Sequence, residues 1–225
     1  MNKIFLIFVL IVLVSCNKKE MTTSLNMNTN YFGLKEGRFV IYNVQEMFHD
    51  VDLIVKHDTN TYQLKTVIGE EYVDNSGRIG RKYYRYTRAL STDEWSIKDV
   101  WVGLITTNSA ELVEENQRIV KLIFPISLNK TWNPNIYNNN EASEVTYEYI
   151  DQAAIISGLQ FDSTLKVNQR YFKSLIDYQN QYENYATNVG LVNKFYKNLV
   201  IDNFDTLDVQ KGNEIHYQLV EYGFE

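Results

Sequence analysis

The segment YQLKTVIGEEYVDNSGRIGRKYYRYTR, residues 62–88, indicates the fold class of this chain. Apolar and polar residues alternate over 62–68, and aromatic and basic residues alternate over 82–88. Between the two runs lies Asp74-Asn75-Ser76-Gly77, a series of residues that favour tight turns. Because a period of two is typical of a β-strand, the segment predicts two antiparallel strands joined by a turn.

The same alternation extends over most of the chain. Residues 39–49 and 53–57 form strand-like runs, and the second ends at Asp58-Thr59-Asn60, which favours a turn. Residues 112–123 also fit one helical face, but β-branched residues dominate the second half, so we favour a hairpin turning at Glu115-Asn116. Further strand-like runs cover 95–105, 119–124, 145–150, 161–169, 175–186, 189–199 and 215–222. This pattern predicts an all-β fold, an antiparallel sandwich or a barrel-like single domain, with little helix outside the first 15 residues.

Length and composition limit the class of protein. The 225 residues suit one domain with a segment to spare. Hydrophobic residues make up 44% and aromatic residues 14%, which excludes disordered and collagen-like chains. Lys and Arg total 22 against 28 Asp and Glu, a net charge of −6, so we expect no nucleic-acid partner. A single cysteine, Cys16, excludes a disulfide framework.

The first 16 residues have the pattern of an export signal. Lys3 precedes an apolar run, Ile4–Val14, that is too short to span a membrane as a helix. The following Leu13-Val14-Ser15-Cys16 resembles the lipobox of bacterial lipoproteins. That resemblance implies cleavage before Cys16 and a covalent lipid on its sulfur. The alternatives are an uncleaved N-terminal helix or an ordinary secretory signal.

The predicted organisation has three parts. Residues 1–15 form a lipoprotein signal peptide, and residues 16–30 form the lipidated Cys16 and a flexible polar tether. Residues 31–225 form one β-rich domain. Two or three acyl chains on Cys16 exceed what reversible attachment needs, so we expect anchoring in the lipid bilayer. The predicted location is the outer membrane of the cell envelope, with the periplasmic and surface-facing orientations both open.

Several local motifs resemble a family of uncharacterised lipoproteins of the Bacteroidota phylum. The resemblance runs from about Tyr31 to Tyr222, and its clearest motif is YA-x-x-VGLV at residues 185–192. The chain departs from the family at Asn193, where a tyrosine is usual. The family implies an envelope location but no established chemistry. The other matching stretches are 31–34 with Gly37 and Tyr42, 74–78, and 121–125 with 130–132.

Four groups of residues in the sequence have a structural or functional interpretation. His49, Asp50 and Asp52 combine metal-ligating types, but alternate residues of a strand point to opposite faces, so we predict no metal site. Gly37 and Gly190 suit positive φ or close approach at strand entries, and Trp132 suits the core better than a ligand site. The remaining group is a basic cluster interleaved with tyrosines, which we interpret as a solvated strand face rather than a surface that stacks nucleic acid or sugars. Its members are Arg78, Arg81, Lys82, Arg85 and Arg88.

Two triplets predict modification sites. Asp162-Ser163-Thr164 and Asp205-Thr206-Leu207 resemble the Asp-Ser/Thr acceptor for O-glycosylation of exported proteins in that phylum. Thr206 lies in a polar stretch between two strand-like runs, and Ser163 lies at the start of one. The alternative is that each Asp caps a turn.

No nucleophile and base, phosphate loop or metal motif is recognisable, so we expect no enzyme activity and no cofactor beyond the lipid on Cys16. A hydrolase is the residual enzymatic alternative. The sequence favours a non-catalytic envelope lipoprotein with a structural or protein-interaction role and an envelope protein as partner. The alternative is a binding module for a glycan or an apolar ligand, which a pocket with several convergent polar groups would favour.

Overall fold

A computed structural model describes residues 27–225. A short 3₁₀ helix, η1, spans Thr29–Phe32 and is followed by strands alone. Within the described residues no helix is long or apolar enough to cross a membrane. The strands are β1 Arg38–Asp50, β2 His57–Val73, β3 Ile79–Arg88, β4 Ser96–Ile105, β5 Ser109–Glu114, β6 Gln117–Ile123, β7 Thr131–Trp132, β8 Val145–Ile156, β9 Leu159–Lys173, β10 Asp177–Ala186, β11 Gly190–Asp202 and β12 Asp205–Phe224.

All the strands belong to one antiparallel sheet, in the order β6-β5-β4-β3-β2-β1-β12-β11-β10-β9-β8-β7. The sheet curls until its edges almost meet. At this junction the Val120 N–H of β6 donates to the carbonyl of Pro134 just after β7, at 2.9 Å. The indole of Trp132 donates to the Val120 carbonyl at 3.0 Å and packs on Tyr147. The predicted all-β fold is therefore confirmed, in its barrel-like rather than its sandwich form, and Trp132 is structural as expected.

Two predicted hairpins are confirmed. Asp74-Asn75-Ser76-Gly77 connects β2 to β3, and the Asp74 side chain accepts the backbone N–H groups of Ser76 and Arg78. Glu115 and Asn116 connect β5 to β6 with φ values of 46° and 62°. Both turns are local, so the residues that form them are sufficient to specify them.

The predicted turn at Asp58-Thr59-Asn60 is wrong. These residues lie inside β2, where Asp58 pairs with Phe48 of β1. The turn is formed instead by residues 51–56, and the Asp50 carboxylate accepts the backbone N–H of Asp52 in it. Apolar residues at 53–55 resemble a strand, yet they are exposed, whereas the polar residues of β2 extend a strand into solvent without losing hydration.

The sheet has two ends, defined here by the turns they carry. The near end carries η1, the start of β1 and the end of β12, and the far end carries the turns β1–β2, β9–β10 and β11–β12. Gly37 and Gly190 both lie at the near end with φ of 77° and 100°, as predicted for strand entries. The longest strands, β2 and β12, reach the far end beyond the core.

Two groups of buried side chains fill the near half of the sheet. One group packs η1 against strands of both sheet edges and includes Tyr31, Phe32, Leu122, Leu165 and Tyr185. The other lies where β1, β2, β11 and β12 meet and includes Val44, Leu64, Val192 and Leu219. Since the first group joins residues of β5 and β6, near one edge of the sheet, to residues of β8 and β9, near the other, the core depends on the curvature of the whole sheet.

Candidate ligand-binding site

A small cavity lies inside the curved sheet. Its volume is about 70 Å³, and side chains from nine strands line it, β1–β6 and β10–β12. Phe32 and Gly33, at the end of η1, line it as well. Part of the wall is apolar, with Val40, Leu64 and Leu112 among its residues. The alternation of each strand points these side chains inward, and the curl brings them together.

A buried ion pair crosses this cavity wall. Lys121 Nζ of β6 lies 2.7 Å from Glu183 Oε1 of β10 and 3.8 Å from Glu114 Oε1. The Tyr185 hydroxyl donates to the other oxygen of Glu183 at 2.6 Å. Glu183 is only 1% exposed, so its charge depends on these partners rather than on water.

Proton equilibria of this pair follow from burial and attraction acting against each other. Burial by itself lowers the pKa of Lys121, but the carboxylates of Glu183 and Glu114 outweigh it, so the pKa of Lys121 is raised. Burial by itself raises the pKa of Glu183, but Lys121 and Lys194 outweigh it, so that pKa is lowered. Both groups are therefore charged at neutral pH.

Arg85 contributes a second buried cation to the wall. It is 4% exposed, its Nη1 donates to Asp99 at 3.0 Å, and its guanidinium lies 3.5 Å from the ring centroid of Trp101. Its Nε is buried without a hydrogen-bond partner. The interpretation of the β3 basic cluster as a solvated face is therefore wrong for Arg85, because β3 curves around the interior and Arg85 lies on its inner side.

The other members of that basic cluster lie outside the cavity, where they contact polar or aromatic neighbours. Arg78 pairs with Asp74, Arg81 with Glu36 and Glu71, Lys82 with Glu70, and Arg88 contacts Gln63 and the ring of Trp95.

Arg38 is a third buried cation, and it differs from the others. It begins β1, lines the cavity and is 7% exposed. Its guanidinium carbon lies 4.3 Å from the ring centroid of Phe224, and its Nε is buried without a partner. Among the described residues no carboxylate lies within 4.0 Å of its side chain nitrogens.

All three histidines of the chain meet elsewhere, at the far half of the sheet. His49 Nδ1 lies 2.9 Å from His57 Nδ1, and the Glu214 carboxylate lies 3.4 Å from His49 and 3.5 Å from His216. Lys197 Nζ also contacts Glu214, at 2.7 Å. Within residues 27–225 no group of His, Cys, Asp or Glu side chains has a geometry that could hold a metal ion.

The predicted modification sites are placed differently from one another. Cys16 lies outside the described residues. Ser163 lies in β9, and its hydroxyl contacts Tyr31 at 2.5 Å, Asp151 at 2.7 Å and Thr187 at 3.2 Å. Thr206 is the second residue of β12, beside the β11–β12 turn, and the Asp205 carboxylate accepts the Leu207 N–H at 2.9 Å.

The charged residues of the interior were not predictable from the sequence pattern. Lys121 stands between Val120 and Leu122, which are both buried, and Glu183 stands between Tyr182 and Asn184. For Lys121 the available signal was a charge within the apolar run at residues 119–124, but β10 around Glu183 is polar and the two partners lie 62 residues apart. Only the structure therefore shows that these two charged residues meet in one site.

Comparison with known proteins gives one likeness. No protein-family model matches the chain, and no curated protein does. Among solved structures it is similar to a protein described as a "putative lipoprotein" from Parabacteroides distasonis ATCC 8503, with 13% identity and a TM-score of 0.43. The match covers 86% of this chain and 98% of that one. The lipoprotein description belongs to that protein.

Proposed function

We propose that this chain is a lipid-anchored, non-catalytic protein of the outer membrane, and that its β domain binds a small ligand inside the sheet. The observation that carries the binding role is the convergence of charged and aromatic side chains on one interior cavity. Buried ion pairs are often no more stabilising than apolar packing of the same volume, so stability alone does not account for these charges. Convergent polar groups in an otherwise apolar cavity are typical of a binding site.

The lining supports binding rather than catalysis. Among the described residues that line the cavity there is no serine, cysteine or histidine, the usual nucleophiles and bases. The lysine and glutamate that face each other are already paired. Such a site holds and orients a ligand by charge and shape.

Anchoring is tested at Cys16. We expect Cys16→Ala to leave the precursor unacylated and uncleaved, because the sulfur that carries the lipid is lost. Mass spectrometry of the mature wild-type protein should show a mass increase from acyl chains on an N-terminal cysteine. An unmodified Cys16 in that protein would contradict the anchoring.

Binding is tested by native mass spectrometry of the full lipidated protein extracted gently from its own envelope. We expect an added small-molecule mass that is released on unfolding. Leu112→Phe adds bulk to the cavity wall and should abolish this mass, whereas Ile97→Phe is a matched control because Ile97 is 58% exposed outside the cavity. A wild-type protein that carries no such mass, or an equal mass in both variants, would refute the binding role.

A second candidate function is contact with another envelope protein. Three neighbouring hairpin tips at the far end expose apolar side chains, and backbone hydrogen bonds join them, from Val51 to Gln210 and from Phe204 to Leu175. Exposed apolar groups that lie together mark interaction surfaces more often than scattered ones do. The exposed residues are Leu53, Ile54, Val55, Leu175, Ile176, Phe204 and Leu207.

Crosslinking in intact envelopes tests this second function. We expect a specific crosslinked partner for the wild type and its loss in Ile54→Asp/Leu207→Asp, because charges at the tips oppose an apolar contact. Ile97→Asp, an exposed position on β4, serves as the control. A crosslinking pattern that is unchanged by the double substitution would exclude the tips as the contact.

A further inference from the structure

Arg38 carries a buried charge that nothing in the described part of the chain neutralises. Its Nε is buried without a hydrogen-bond partner, its side chain forms no ion pair there, and its guanidinium faces the ring of Phe224. A guanidinium keeps its proton in proteins, so burial leaves a full positive charge. Buried charges are normally paired, and an unpaired one points to a missing anion.

The charged residues that line the cavity also sum to one excess positive charge. The lining holds four cations, Arg38, Arg85, Lys121 and Lys194, and two carboxylates, Glu114 and Glu183. Asp99 neutralises Arg85 from outside the lining. Four cations therefore face three carboxylates, which leaves one positive charge. Arg38 and Lys194 are the two lining cations without an ion pair among the described residues, and Arg38 is the one of the two that is buried, whereas Lys194 is half-buried.

Arg38 also faces a second space. An outer groove of about 400 Å³ at the near end is lined by Arg38, Gln160, Phe161, Asn188, Tyr222 and Phe224, among others. Phe161 and Tyr222 pack together with ring centroids 5.6 Å apart, so the groove offers an aromatic wall. Asp162 also lines it, and this exposed carboxylate opposes a second negative charge on any ligand.

The sizes of the cavity and the groove indicate which part of a ligand each of them can hold. A dry cavity of ~150 Å³ holds a benzene ring, so the interior cavity of about 70 Å³ admits only a small group. The outer groove falls in the range of about 300–1,000 Å³ that is usual for small-molecule pockets. Arg38 lines both, so a ligand whose charged group meets Arg38 can place its body in the groove.

We propose that Arg38 binds the carboxylate of a small monocarboxylic acid whose aromatic or aliphatic body lies in the outer groove. The single excess positive charge matches one negative charge, and the guanidinium fork matches the two oxygens of a carboxylate. The carboxylate enters the interior cavity, where its oxygens accept hydrogen bonds from the N–H groups of Arg38, while the body packs on Phe161 and Tyr222 in the outer groove. This inference rests on the proposed binding function and names the class of its ligand.

Carboxyl-labelled ¹³C-benzoate is the probe for this site, titrated into the full-length protein in detergent. We expect a saturable change in the carboxyl resonance, weakened at least about tenfold in Arg38→Gln because a charge-assisted pair is lost. Arg38→Lys, which keeps the charge without the fork, should fall between the two. Arg88→Gln is the matched control, since Arg88 is an arginine of the same sheet that lines neither space.

A second measurement keeps the proposal testable if Arg38→Gln does not fold. Photolysis of 4-azidobenzoate on the wild-type protein should label peptides that contain Phe161 or Tyr222, and excess benzoate should suppress the labelling. Labelling confined to other peptides, or a wild type that does not bind benzoate, would overturn the proposal.

Two further outcomes distinguish a failure of the carboxylate assignment from a failure of the proposed binding function. Inorganic phosphate that displaces benzoate and binds more tightly would overturn the carboxylate assignment. A native ligand that lacks any anionic group would also overturn it while leaving the proposed binding function intact. Failure of the native mass measurement, in contrast, bears on the binding function itself.

Discussion

Charged side chains inside this sheet are held by partners that are also inside it. Lys121, Glu183 and Tyr185 form a connected set, and Glu183 has its two oxygens occupied by two different residues. Such groups are stabilised only while every partner is present, because water does not replace a lost one. At the scale of single residues, the interior is therefore more sensitive to removal of one partner than to removal of both.

The ion pair gives the first prediction. Lys121→Met leaves the Glu183 charge buried with Tyr185 as its remaining close donor, and we expect the free energy of unfolding to fall by about 3–5 kcal/mol. The double variant Lys121→Met/Glu183→Gln removes both charges but keeps an acceptor for Tyr185, so it should recover much of the loss. Urea unfolding measures both, and a single variant within about 1 kcal/mol of the wild type would contradict the argument.

A pH effect is predicted at His216. Burial lowers the pKa of His216 below its ordinary value of 6.5, although Glu214 acts in the opposite direction. As the pH falls below 6.5, the unfolded chain takes up a proton that the folded His216 resists, so the folded state loses stability. Urea midpoints at pH 7.5 and 5.5 should therefore differ less for His216→Gln than for the wild type. Equal differences would show that His216 does not contribute.

O-glycosylation is predicted at Thr206 and Ser163. Thr206 lies beside a turn, whereas the Ser163 hydroxyl has three hydrogen-bond partners, so we expect the modification at Thr206 to be the more complete. Peptide mass spectrometry of protein from the native envelope should show sugar masses that Thr206→Ala removes. If both peptides occur only at unmodified mass, the two aspartates act in local structure alone.

At the scale of elements, turns and close approaches hold the strands in register. Gly33 follows η1 with φ of 65°, and a Cβ there would lie 2.5 Å from the Val189 carbonyl oxygen. Gly77, in the β2–β3 turn, has φ of 75° but open space around it. The two glycines share a backbone conformation and differ in crowding, which makes them a matched pair.

The pair separates two costs of adding a side chain. Gly77→Ala should cost about 1–2 kcal/mol, the strain of a left-handed conformation. Gly33→Ala should cost more, because the β10–β11 turn must also move away from η1. Urea unfolding of the two variants compares these costs directly. An equal loss in both would mean that the contact of η1 with that turn is easily relaxed.

At the scale of the whole molecule, the curled sheet determines the spectroscopic signature. The structure contains twelve strands and one 3₁₀ turn of helix among its described residues. We expect the far-ultraviolet circular dichroism of the mature protein to be dominated by β structure. A helix content above about a third, the average for globular proteins, would contradict the fold.

Local pattern determined much of this fold. The alternation at residues 62–88 specified β2, β3 and the turn between them, and the β5–β6 hairpin followed from Glu115-Asn116. Side chains that are close along the chain specify such features, because a period of two and a turn sequence act over a few residues. The turn at residues 51–56 was not predicted, because its apolar residues have the sequence pattern of a strand although they are exposed.

The sequence by itself thus determined the all-β class and the local hairpins, and it predicts an anchor at Cys16. Only the tertiary structure decided that the sheet curls into a barrel-like form, that Lys121 meets Glu183, and that Arg38 faces a cavity without a counter-ion. The physical reason is that alternation orients a side chain toward one face of its own strand but does not specify its neighbour. Strand order arises from long-range pairing, such as Arg38 with Phe224, and that pairing decides which inward charges share one interior.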